Sequence, residues 1–498
     1  MRFFVLPSMF VAFGLAACGD KSDGSSASGG AAGNNSSNGG TSAGGSSQAG
    51  SSAGGSTSGG ASPGGATSGG ASSGGTSSGG TPSGSGGAAP AADPCRGTKA
   101  SGVVADGLCA VEIGTVNDAR QLTFSSNGDL WVVSANGAIR RLRDANENGL
   151  FEASEIVQWA TTGGNGQNVH IDEAGGFLYS GTTNGVRRWA WTASSNMGGT
   201  GQDVMTGQPG GGGHGKHTVH VWDGYMYVMS GSSGNVSNES SDKTVYDTAR
   251  SVIKRFKLSD FTPGTPFTWQ SGEVFARGLR NTLGFTRDAM GRMYGVQNGQ
   301  DDVRYAGQDV HNDNPGEVIV RLEMGSSHGY PFCMVAQQIT GIAPGTQVKS
   351  EIYANNTHDD AWCASNALAP ATFVQAHSAP MEIIFVGDEA SALPARWRNG
   401  ALVSQHGSWN RNPGSGKKVV WVPFNADGTS PMPTVTGNSI SFPYEVVYGE
   451  SADKVASGAG QTSNGGFRPV GLAISPIDGA LYISSDGDGK IYRVGLAQ

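Results

Sequence analysis

The sequence GDLWVV at residues 128–133 is the first copy of a pattern in which a glycine turn precedes an apolar and aromatic strand. The later copies are GFLY at 176–179, GYMYV at 224–228, GRMY at 291–294 and GALYI at 479–483. The first three begin about 48 residues apart, and such a period with several short strands is typical of propeller blades. Side chains alternate with the period of a strand, not of a helix. The pattern predicts an all-β, six-bladed β-propeller, with a generic β-sandwich array as the less favoured alternative.

One of the six predicted blades rests on a less regular pattern. Between 294 and 479 the repeat is visible only in GALV at 400–403 and VVWV at 419–422. We expect blades at 113–160, 161–210, 211–275, 276–335, 370–430 and 465–498. The segments 334–369 and 430–464 are expected to be long connections, which are usually functional or inserted over a rim.

Composition and charge exclude several classes of protein. The chain has 498 residues, of which 82 are Gly and ten are Trp. Long helices rich in Ala, Leu, Glu and Lys are scarce, which excludes a helical bundle and a coiled coil. The net charge is −8 and no basic stripe occurs, so we expect no nucleic acid partner.

Residues 1–18 are predicted to be a lipoprotein signal peptide. Arg2 precedes an apolar run too short to span a bilayer, as in an export signal. Leu15-Ala16-Ala17-Cys18 resembles a bacterial lipobox, which implies that Cys18 becomes the lipidated N-terminus. We therefore expect an exported bacterial lipoprotein, anchored in a membrane on its periplasmic or outer-surface side. A plain signal peptide with an incidental cysteine is the alternative.

A disordered linker is predicted at 19–93, between the anchor and the propeller. The segment is rich in Gly, Ser and Thr, has no aromatic residue, and its only charged residues are Asp20, Lys21, Asp23 and Asp93. It cannot bury enough apolar area to offset the entropy of ordering it. We therefore assign the propeller to 94–498.

Four cysteines remain once Cys18 is assigned to lipid. An even number in an exported protein suggests disulfides, and proximity in sequence favours Cys95–Cys109 and Cys333–Cys363. A zinc site is the weaker alternative, because no pair has the spacing of two intervening residues.

Residues 144–155 match the calcium-loop pattern D-x-N-x-N-G-x5-E. The expected ligands of a structural calcium ion are Asp144, Asn146, Asn148, the carbonyl of Leu150 and Glu155. The flanking segments read as strand and loop, so no EF-hand domain is implied. An Asn/Gly surface turn is the alternative.

Three histidines lie near the third copy of the pattern, at His214, His217 and His220. On a strand His217 would face away from the other two, so a three-histidine zinc site on this segment is not expected. His214 lies in a glycine-rich loop that enters a strand, where a histidine can act as a general base at the propeller rim.

Two further segments place polar residues beside strands. Arg280 and Asn281 open an apolar strand, and a salt-bridged surface arginine is the alternative reading there. The segment 296–302, followed by 314–318 and 328–333, offers carboxylates and carbonyls that could bind calcium or only cap turns.

Taken in order, these segments resemble the quinoprotein glucose/sorbosone dehydrogenase family, closest to its L-sorbosone dehydrogenase-like branch. Members are six-bladed propellers that use pyrroloquinoline quinone (PQQ) and calcium. The likeness runs over most of 115–498. Its phrases are GGH ending at His214, GSSGN at 231–235, GLRN at 278–281, NG at 298–299 through GYPFC at 329–333, HSAP at 377–380, HGSWNR at 406–411 and RPVGL at 468–472.

The resemblance implies a role for each matching residue. His214 would take the hydroxyl proton while a hydride moves from C1 of the sugar to the quinone. Arg280 and Asn281 would contact PQQ, and Arg468 would bind one of its carboxylates. The backbone of Gly299 and Gln300 would hold the active-site calcium.

The chain also departs from the family pattern. Gly215 and His217 stand where relatives have an aromatic residue and an arginine, and Gly466 stands where glucose-type relatives have a second arginine. The cofactor lysine stays open between Lys417 and Lys418, with Arg411 or His406 as substitutes.

The leading hypothesis is an exported, lipid-anchored PQQ-dependent dehydrogenase. It would oxidise C1 of an aldose or sugar aldehyde to a lactone or acid and pass electrons to a respiratory quinone or a cytochrome. The alternatives are a non-catalytic carbohydrate- or protein-binding propeller and a calcium-dependent lactonase-type hydrolase. The matched set His214, Arg280, Asn281 and Arg468 is cationic, which suits a tricarboxylate cofactor better than a bare cation.

Overall fold

The structure is a computed structural model, and it describes residues 93–236, 249–354, 356–449 and 465–497. The predicted signal peptide at 1–18, the lipidation of Cys18 and the linker predicted at 19–93 lie outside the described residues, apart from Asp93. Within those ranges, no helix is long and apolar enough to cross a membrane.

Six sheets of four or five strands make up the described body, and each is one blade of a β-propeller. Their strands are rich in Val, Ile, Tyr and Trp, which suit a pleated and largely buried surface. Blade 1 contains Ala119–Phe124, Leu130–Ser134, Ala138–Leu142 and Ile156–Thr161. Blade 2 contains Val169–Asp172, Phe177–Gly181, Val186–Ala190, Gln202–Thr206 and, at its outer edge, Phe267–Thr268. Blade 3 contains Val219–Trp222, Tyr225–Ser230, Val252–Lys257, Glu273–Arg277 and, at its outer edge, Ser326–Ser327.

The remaining blades follow the same antiparallel order. Blade 4 contains Phe285–Arg287, Met293–Gln297, Glu317–Leu322 and Thr372–Val374. Blade 5 contains Pro380–Phe385, Ala401–Gln405, Lys418–Val422, Glu445–Gly449 and, at its outer edge, Val103–Val104. Blade 6 contains Pro469–Ile474, Leu481–Ser485, Lys490–Leu496, Leu108–Thr115 and, at its outer edge, Thr98–Lys99. The predicted six-bladed propeller is confirmed.

The ring closes because blade 6 combines strands from both ends of the propeller. Leu108–Thr115 pairs with Lys490–Leu496, so that Leu108 lies opposite Leu496. Closure leaves no open edge between the first and last blades. The predicted start of blade 1 at residue 113 was therefore wrong, because residues 113–115 extend the outer strand of blade 6.

Two predicted boundaries further along the chain were also wrong. Thr372–Val374 pairs with Glu317–Leu322, so the segment 334–369 is an insertion within blade 4 and not a connection between blades. Glu445–Gly449 forms the outer strand of blade 5, although 430–464 was expected to be a connection. Thr372–Val374 has only three residues, and no glycine turn directly precedes Glu445–Gly449, so neither strand shows the repeat pattern.

Short elements decorate the blades. In the described part of the chain the two-stranded hairpins are Arg304–Tyr305 with Gln308–Asp309, Cys333–Val335 with Gln347–Lys349, and Thr434–Thr436 with Ser439–Ser441. An α-helix, α1, spans Asp360–Asn366 and begins where the Asp359 carboxylate accepts a hydrogen bond from the Trp362 N–H. The 3-10 helices are Ala153–Glu155, Leu258–Asp260, Trp269–Ser271, His311–Asp313 and Ala395–Trp397.

Both predicted disulfides are present, Cys95–Cys109 and Cys333–Cys363. The first ties the start of the body to the strand that closes the ring. The second joins the hairpin of the blade 4 insertion to α1. The insertion is thus tied beside the connection that contains Gln300, whose side-chain amide donates to the Pro331 carbonyl at 3.1 Å.

Candidate active site at one end of the propeller axis

Strand order places the predicted catalytic, cofactor and active-site calcium residues at a single end of the propeller. In each blade the segment before the first strand and the turn between the second and third strands lie at the same end, because neighbouring strands are antiparallel. Residues before first strands are His214, Arg280, Asn281 and Arg468, and residues in second-to-third connections are Gly299, Gln300, His406, Arg411 and Lys417. In a ring of six, blades 3 and 4 face blades 6 and 1 across the axis.

His214 is buried, and its ring is oriented by Ser232. The Nδ1 atom of His214 lies 2.8 Å from the Ser232 hydroxyl oxygen, and that hydroxyl donates to the Gly234 carbonyl at 2.7 Å. Since the serine proton is used on Gly234, Nδ1 must be the donor in the other bond. Neutral His214 therefore has its lone pair on Nε2, and no hydrogen bond involves that atom among the described residues.

Burial, followed by the positive charge of Arg280, lowers the pKa of His214 to about 3. The imidazole is therefore neutral at ordinary pH and able to accept a proton. Gly231 allows its close packing, because a Cβ at residue 231 would come within 2.7 Å of the His214 Cβ. The glycine in the GSSGN phrase thus makes room for the histidine.

Arg280 forms a buried ion pair with Asp301. Its Nη2 lies 2.8 Å from Asp301 Oδ2, and the guanidinium also donates to the main-chain and side-chain oxygens of Asn235, each at 3.1 Å. Burial alone would raise the pKa of Asp301, but Arg280 and then His377 lower it. Asp301 is therefore ionised. Arg280 is salt-bridged, as the alternative reading had it, but it is buried and not a surface arginine.

The side-chain oxygens of Asn281 and Gln300 lack a hydrogen-bond partner among the described residues. Asn281 donates to Asn298 Oδ1 at 2.9 Å, while its own Oδ1 is buried and accepts no hydrogen bond from the described residues. The side-chain oxygen of Gln300 is also buried and accepts no hydrogen bond from the described residues. Buried acceptors without a donor are costly, so both atoms mark places where a ligand or water is needed.

The backbone of Gly299 is anchored by a buried carboxyl group. Its N–H donates to Glu317 Oε2 at 2.6 Å, and burial raises the pKa of Glu317 to about 7. His377 lies beside Asp301, with Nδ1 3.7 Å from Oδ1, and its Nε2 lies 2.9 Å from the Asn314 carbonyl oxygen. Burial alone would lower the pKa of His377, but the carboxylates of Asp301 and Glu317 raise it. Blades 4 and 5 are joined through this network.

A second buried network lies on the side of the ring formed by blades 5, 6 and 1. Arg468 Nη2 donates to His406 Nδ1 at 3.0 Å, so the proton of His406 is on Nε2, which lies 2.8 Å from Asp486 Oδ1. Asp486 also binds Arg120 at 2.8 Å, and Arg120 donates to the side-chain oxygen of Gln167. Although burial opposes it, His406, Arg120 and Arg468 lower the pKa of Asp486.

The other predicted cofactor residues are tied to the connections around these networks. The Lys417 ammonium donates to the Gly465 carbonyl at 2.8 Å, and its backbone has a φ of 51°. Arg411 pairs with Asp313 at 2.8 Å and links the connections of blades 5 and 4. Lys216, which the sequence analysis did not single out, also reaches this end, where it donates to the carbonyls of Ala135 and Gly166 at 3.3 Å each.

The predicted structural calcium loop lies at the opposite end, between the third and fourth strands of blade 1. Asp144 accepts from the N–H groups of Asn148 and Gly149 at 2.9 and 2.6 Å, and Glu155 accepts from the Ala145 N–H at 2.9 Å. The loop is thus folded back on itself around its carboxylates. No group of three or more His, Cys, Asp or Glu side chains suited to a metal ion occurs in the part of the chain that the structure describes.

Sequence reasoning missed Arg120, Gln167 and Asp486. Arg120 is the second residue of the first strand of blade 1, which none of the quoted sequence phrases covers. Asp486 follows the last-blade strand Leu481–Ser485 in a Gly/Asp turn that reads as ordinary turn chemistry. One signal in the sequence could have identified Arg120. Like Arg280 and Arg468, it is an arginine near the beginning of the first strand of a blade.

Comparison with known proteins gives a consistent family. Over 413 residues the chain is 28% identical to the pyrroloquinoline quinone-dependent pyranose dehydrogenase of Coprinopsis cinerea. This match covers 78% of this chain and 54% of that protein. The chain is also 26% identical over 394 residues to the pyrroloquinoline quinone-dependent sugar dehydrogenase of Hypocrea jecorina, and this match covers 75% of this chain and 84% of that protein. The chain thus spans about half the length of the Coprinopsis relative.

A solved structure agrees with these sequence relatives. The calcium structure of the Trichoderma reesei member of carbohydrate-active enzyme family AA12 superposes with a TM-score of 0.67 at 25% identity, covering 81% of this chain and 99% of that one. The sequence model of the TrAA12-like family matches residues 102–497, which is nearly the whole described body. The chain belongs to the TrAA12-like family.

Proposed function

We propose that this chain is a PQQ-dependent dehydrogenase that oxidises a sugar. The observation on which this rests most is His214, whose Nε2 lone pair is available beside the buried Arg280–Asp301 pair. The two sequence relatives, which are named as PQQ-dependent sugar or pyranose dehydrogenases, support the proposal.

The residues at this end fit PQQ. Its carboxylates require cationic donors, and buried or nearly buried cations reach this end from five blades: Arg120, Lys216, Arg280, Lys417 and Arg468. Its other polar atoms require matching groups. The side-chain oxygens of Asn281 and Gln300 and the indole N–H of Trp409 are available, since none has a hydrogen-bond partner in the described ranges. We propose that Arg280 and Asn281 bind PQQ on one side of the axis and Arg468, steadied by His406, on the other.

When bound, PQQ supplies the two-electron acceptor for the sugar. His214 accepts the proton of the sugar hydroxyl at Nε2, because Ser232 holds the other ring nitrogen as a donor. A neutral imidazole accepts this proton without first losing one. Arg280, already desolvated and held by Asp301, offers a fixed positive charge to negative charge that develops nearby.

Calcium has two proposed places. At the active site the carbonyls of Gly299 and Gln300 would provide oxygen ligands, and the Glu317–Gly299 hydrogen bond holds that backbone in position. At the other end, Asp144, Asn146, Asn148, Leu150 and Glu155 would bind a structural ion. The calcium structure of the Trichoderma reesei protein supports calcium binding in this family.

The finer parts of the proposal concern substrate and location. We propose oxidation at C1 of an aldose or sugar aldehyde to a lactone or acid, with electrons passed to a respiratory quinone or a cytochrome. We also propose export, lipidation at Cys18 and membrane anchoring through the 19–93 linker. Incorporation of labelled fatty acid into the wild-type chain, and its loss in Cys18→Ser, would test the anchor.

A lactonase-type calcium centre is disfavoured by the same geometry. Such a centre needs carboxylates free to bind the ion, whereas Asp301 and Asp486 are each engaged by an arginine.

Reconstitution tests the proposed dehydrogenase activity. The purified chain is titrated with PQQ in calcium buffer and then assayed for dye reduction with a panel of aldoses. Saturable PQQ binding with sugar-dependent reduction is expected. Absence of PQQ binding at micromolar cofactor would contradict the proposal.

A further inference from the structure

A cavity of about 330 Å³ lies on the propeller axis, away from the His214 end. First strands begin at the active-site end, and the cavity is lined mainly by later residues of those strands, including Phe124, Trp222 and Ile474. His170 from blade 2 and His220 from blade 3 line it as well. Neither histidine has a role in the proposed dehydrogenase.

The two imidazoles meet through their Nδ1 atoms, which are 3.3 Å apart. The Nε2 atom of His170 lies 3.0 Å from the Val221 carbonyl oxygen. A carbonyl only accepts, so His170 has its proton on Nε2 and its lone pair on Nδ1. A histidine whose second nitrogen donates to a main-chain carbonyl has the arrangement typical of a metal ligand.

His220 is held in place on its faces and left short of a partner at one nitrogen. Its ring stacks on Trp222 with centroids 4.6 Å apart and planes 5° apart, and Phe285 contacts it edge-on at 4.7 Å. Its Nε2 is buried and has no hydrogen-bond partner in the ranges that the structure describes. The pair is therefore rigid. Without a metal ion the His220 Nδ1–H donates to His170 Nδ1, and a metal ion would take the place of that shared proton.

The separation of the two nitrogens suits a metal ion. With metal–nitrogen distances of 2.0–2.1 Å, a 3.3 Å separation gives an angle at the metal of about 107°, close to tetrahedral. Glu389 also lines this cavity, and an acidic side chain favours a cation nearby.

We propose that His170 and His220 bind one divalent transition-metal ion through their Nδ1 atoms, with water from the axial cavity completing its coordination. Two imidazoles select zinc, cobalt, nickel or copper, whereas calcium prefers oxygen ligands. His220 then has its proton on Nε2. The ion would join the first strands of blades 2 and 3, and it does not depend on the proposed dehydrogenase activity.

The test uses the full chain freed of transition metals and kept in calcium buffer. Zinc is titrated calorimetrically, and cobalt is titrated by visible absorption, which distinguishes tetrahedral from octahedral coordination. We expect one zinc per chain, a tetrahedral cobalt spectrum and a higher Tm in zinc. Zinc affinity should fall at least tenfold in both His170→Gln and His220→Gln.

The matched control is His328→Gln, which removes another buried neutral histidine, one whose Nε2 contacts the Ser326 hydroxyl. It should bind zinc as the wild type does. The metal-free Tm of each variant shows whether it has folded. Failure of the wild-type chain to bind zinc or cobalt would overturn the proposal whatever the variants do, and so would wild-type affinity in both His170→Gln and His220→Gln.

Discussion

The Ser232 hydroxyl fixes which nitrogen of His214 is available for chemistry. It accepts from His214 Nδ1 at 2.8 Å and gives its own proton to the Gly234 carbonyl at 2.7 Å. The serine thus works as a positioning residue, and the pattern of donors leaves His214 Nε2 as the only acceptor of its ring. This relationship joins the glycine-rich loop before blade 3 to the turn between the second and third strands of that blade.

Ser232→Ala should lower kcat about tenfold or more while leaving KM within a factor of about two. The substitution removes the hydrogen bond that fixes the His214 tautomer but no contact to the substrate. Ser232→Thr keeps a hydroxyl and should recover much of the rate. Ser230→Ala is the control, since the Ser230 hydroxyl is buried without a partner in the described body. Equal kcat in Ser232→Ala and Ser230→Ala would remove the positioning role.

Arg280→Ala should weaken PQQ binding and lower the rate together. The substitution removes a charge-assisted contact and leaves the buried Asp301 carboxylate without its arginine partner. PQQ affinity, measured by titration of the protein without substrate, should fall at least tenfold. Arg321→Ala is the matched control, since Arg321 is exposed and pairs only with the exposed Glu323 in the described structure. Unchanged PQQ affinity in Arg280→Ala would place the cofactor elsewhere.

Glu155→Ala should weaken calcium binding at the blade 1 loop and lower Tm in calcium buffer, without preventing PQQ binding. Glu155 is the last position of the loop pattern, where a bidentate carboxylate closes the coordination of the ion. Melting curves with and without a chelator compare the variant with the wild type. A wild-type Tm that does not respond to the chelator would argue against a metal at this loop.

Buried histidines should make the protein less stable in mild acid. Burial lowers the pKa of His170, His217 and His328 to about 4, below the ordinary value of 6.5. Their stabilising contribution is complete above pH 6.5 and is lost as the pH falls toward 4, because the unfolded chain binds protons first.

The variant that tests this is His328→Gln, which does not titrate. Between pH 6.5 and 4 its Tm should fall less than that of the wild type. The difference corresponds to up to about 3 kcal/mol in the free energy of unfolding. Glu317 has the opposite effect, since its pKa is raised to about 7 and its contribution is lost as the pH rises from 4.5 through 7. An identical pH dependence in His328→Gln and wild type would contradict the assignment for His328.

The blades could be predicted from sequence where strands are long and flanked by glycine turns. GDLWVV, GFLY and GYMYV each became a second strand of a blade, at Leu130–Ser134, Phe177–Gly181 and Tyr225–Ser230. The closing strand Leu108–Thr115 could not be assigned to blade 6, because its partner lies nearly 400 residues away and local pattern contains no information about that pairing. The short outer strand Thr372–Val374 was lost within an insertion for a similar reason.

The site was predicted unevenly. His214, Arg280 and Asn281 follow recognisable phrases, and the structure brings them together at the end of the axis. Arg468 and His406 also meet, but the residue that joins them to blade 1, Asp486, belongs to a turn with no distinguishing pattern. The pairing of Asp486 with Arg120 in blade 1 depends on ring closure, so no local reading of the chain reveals it.

The most direct test of the central proposal is the turnover of His214→Gln with PQQ and calcium bound. PQQ titration is measured first, and steady-state dye reduction is then followed at saturating sugar. If His214 Nε2 is the proton acceptor, the variant should bind PQQ with an affinity close to that of the wild type and lose kcat by about 10²–10⁴, as expected for a positioned base. A variant that binds PQQ and retains the wild-type kcat would contradict the account.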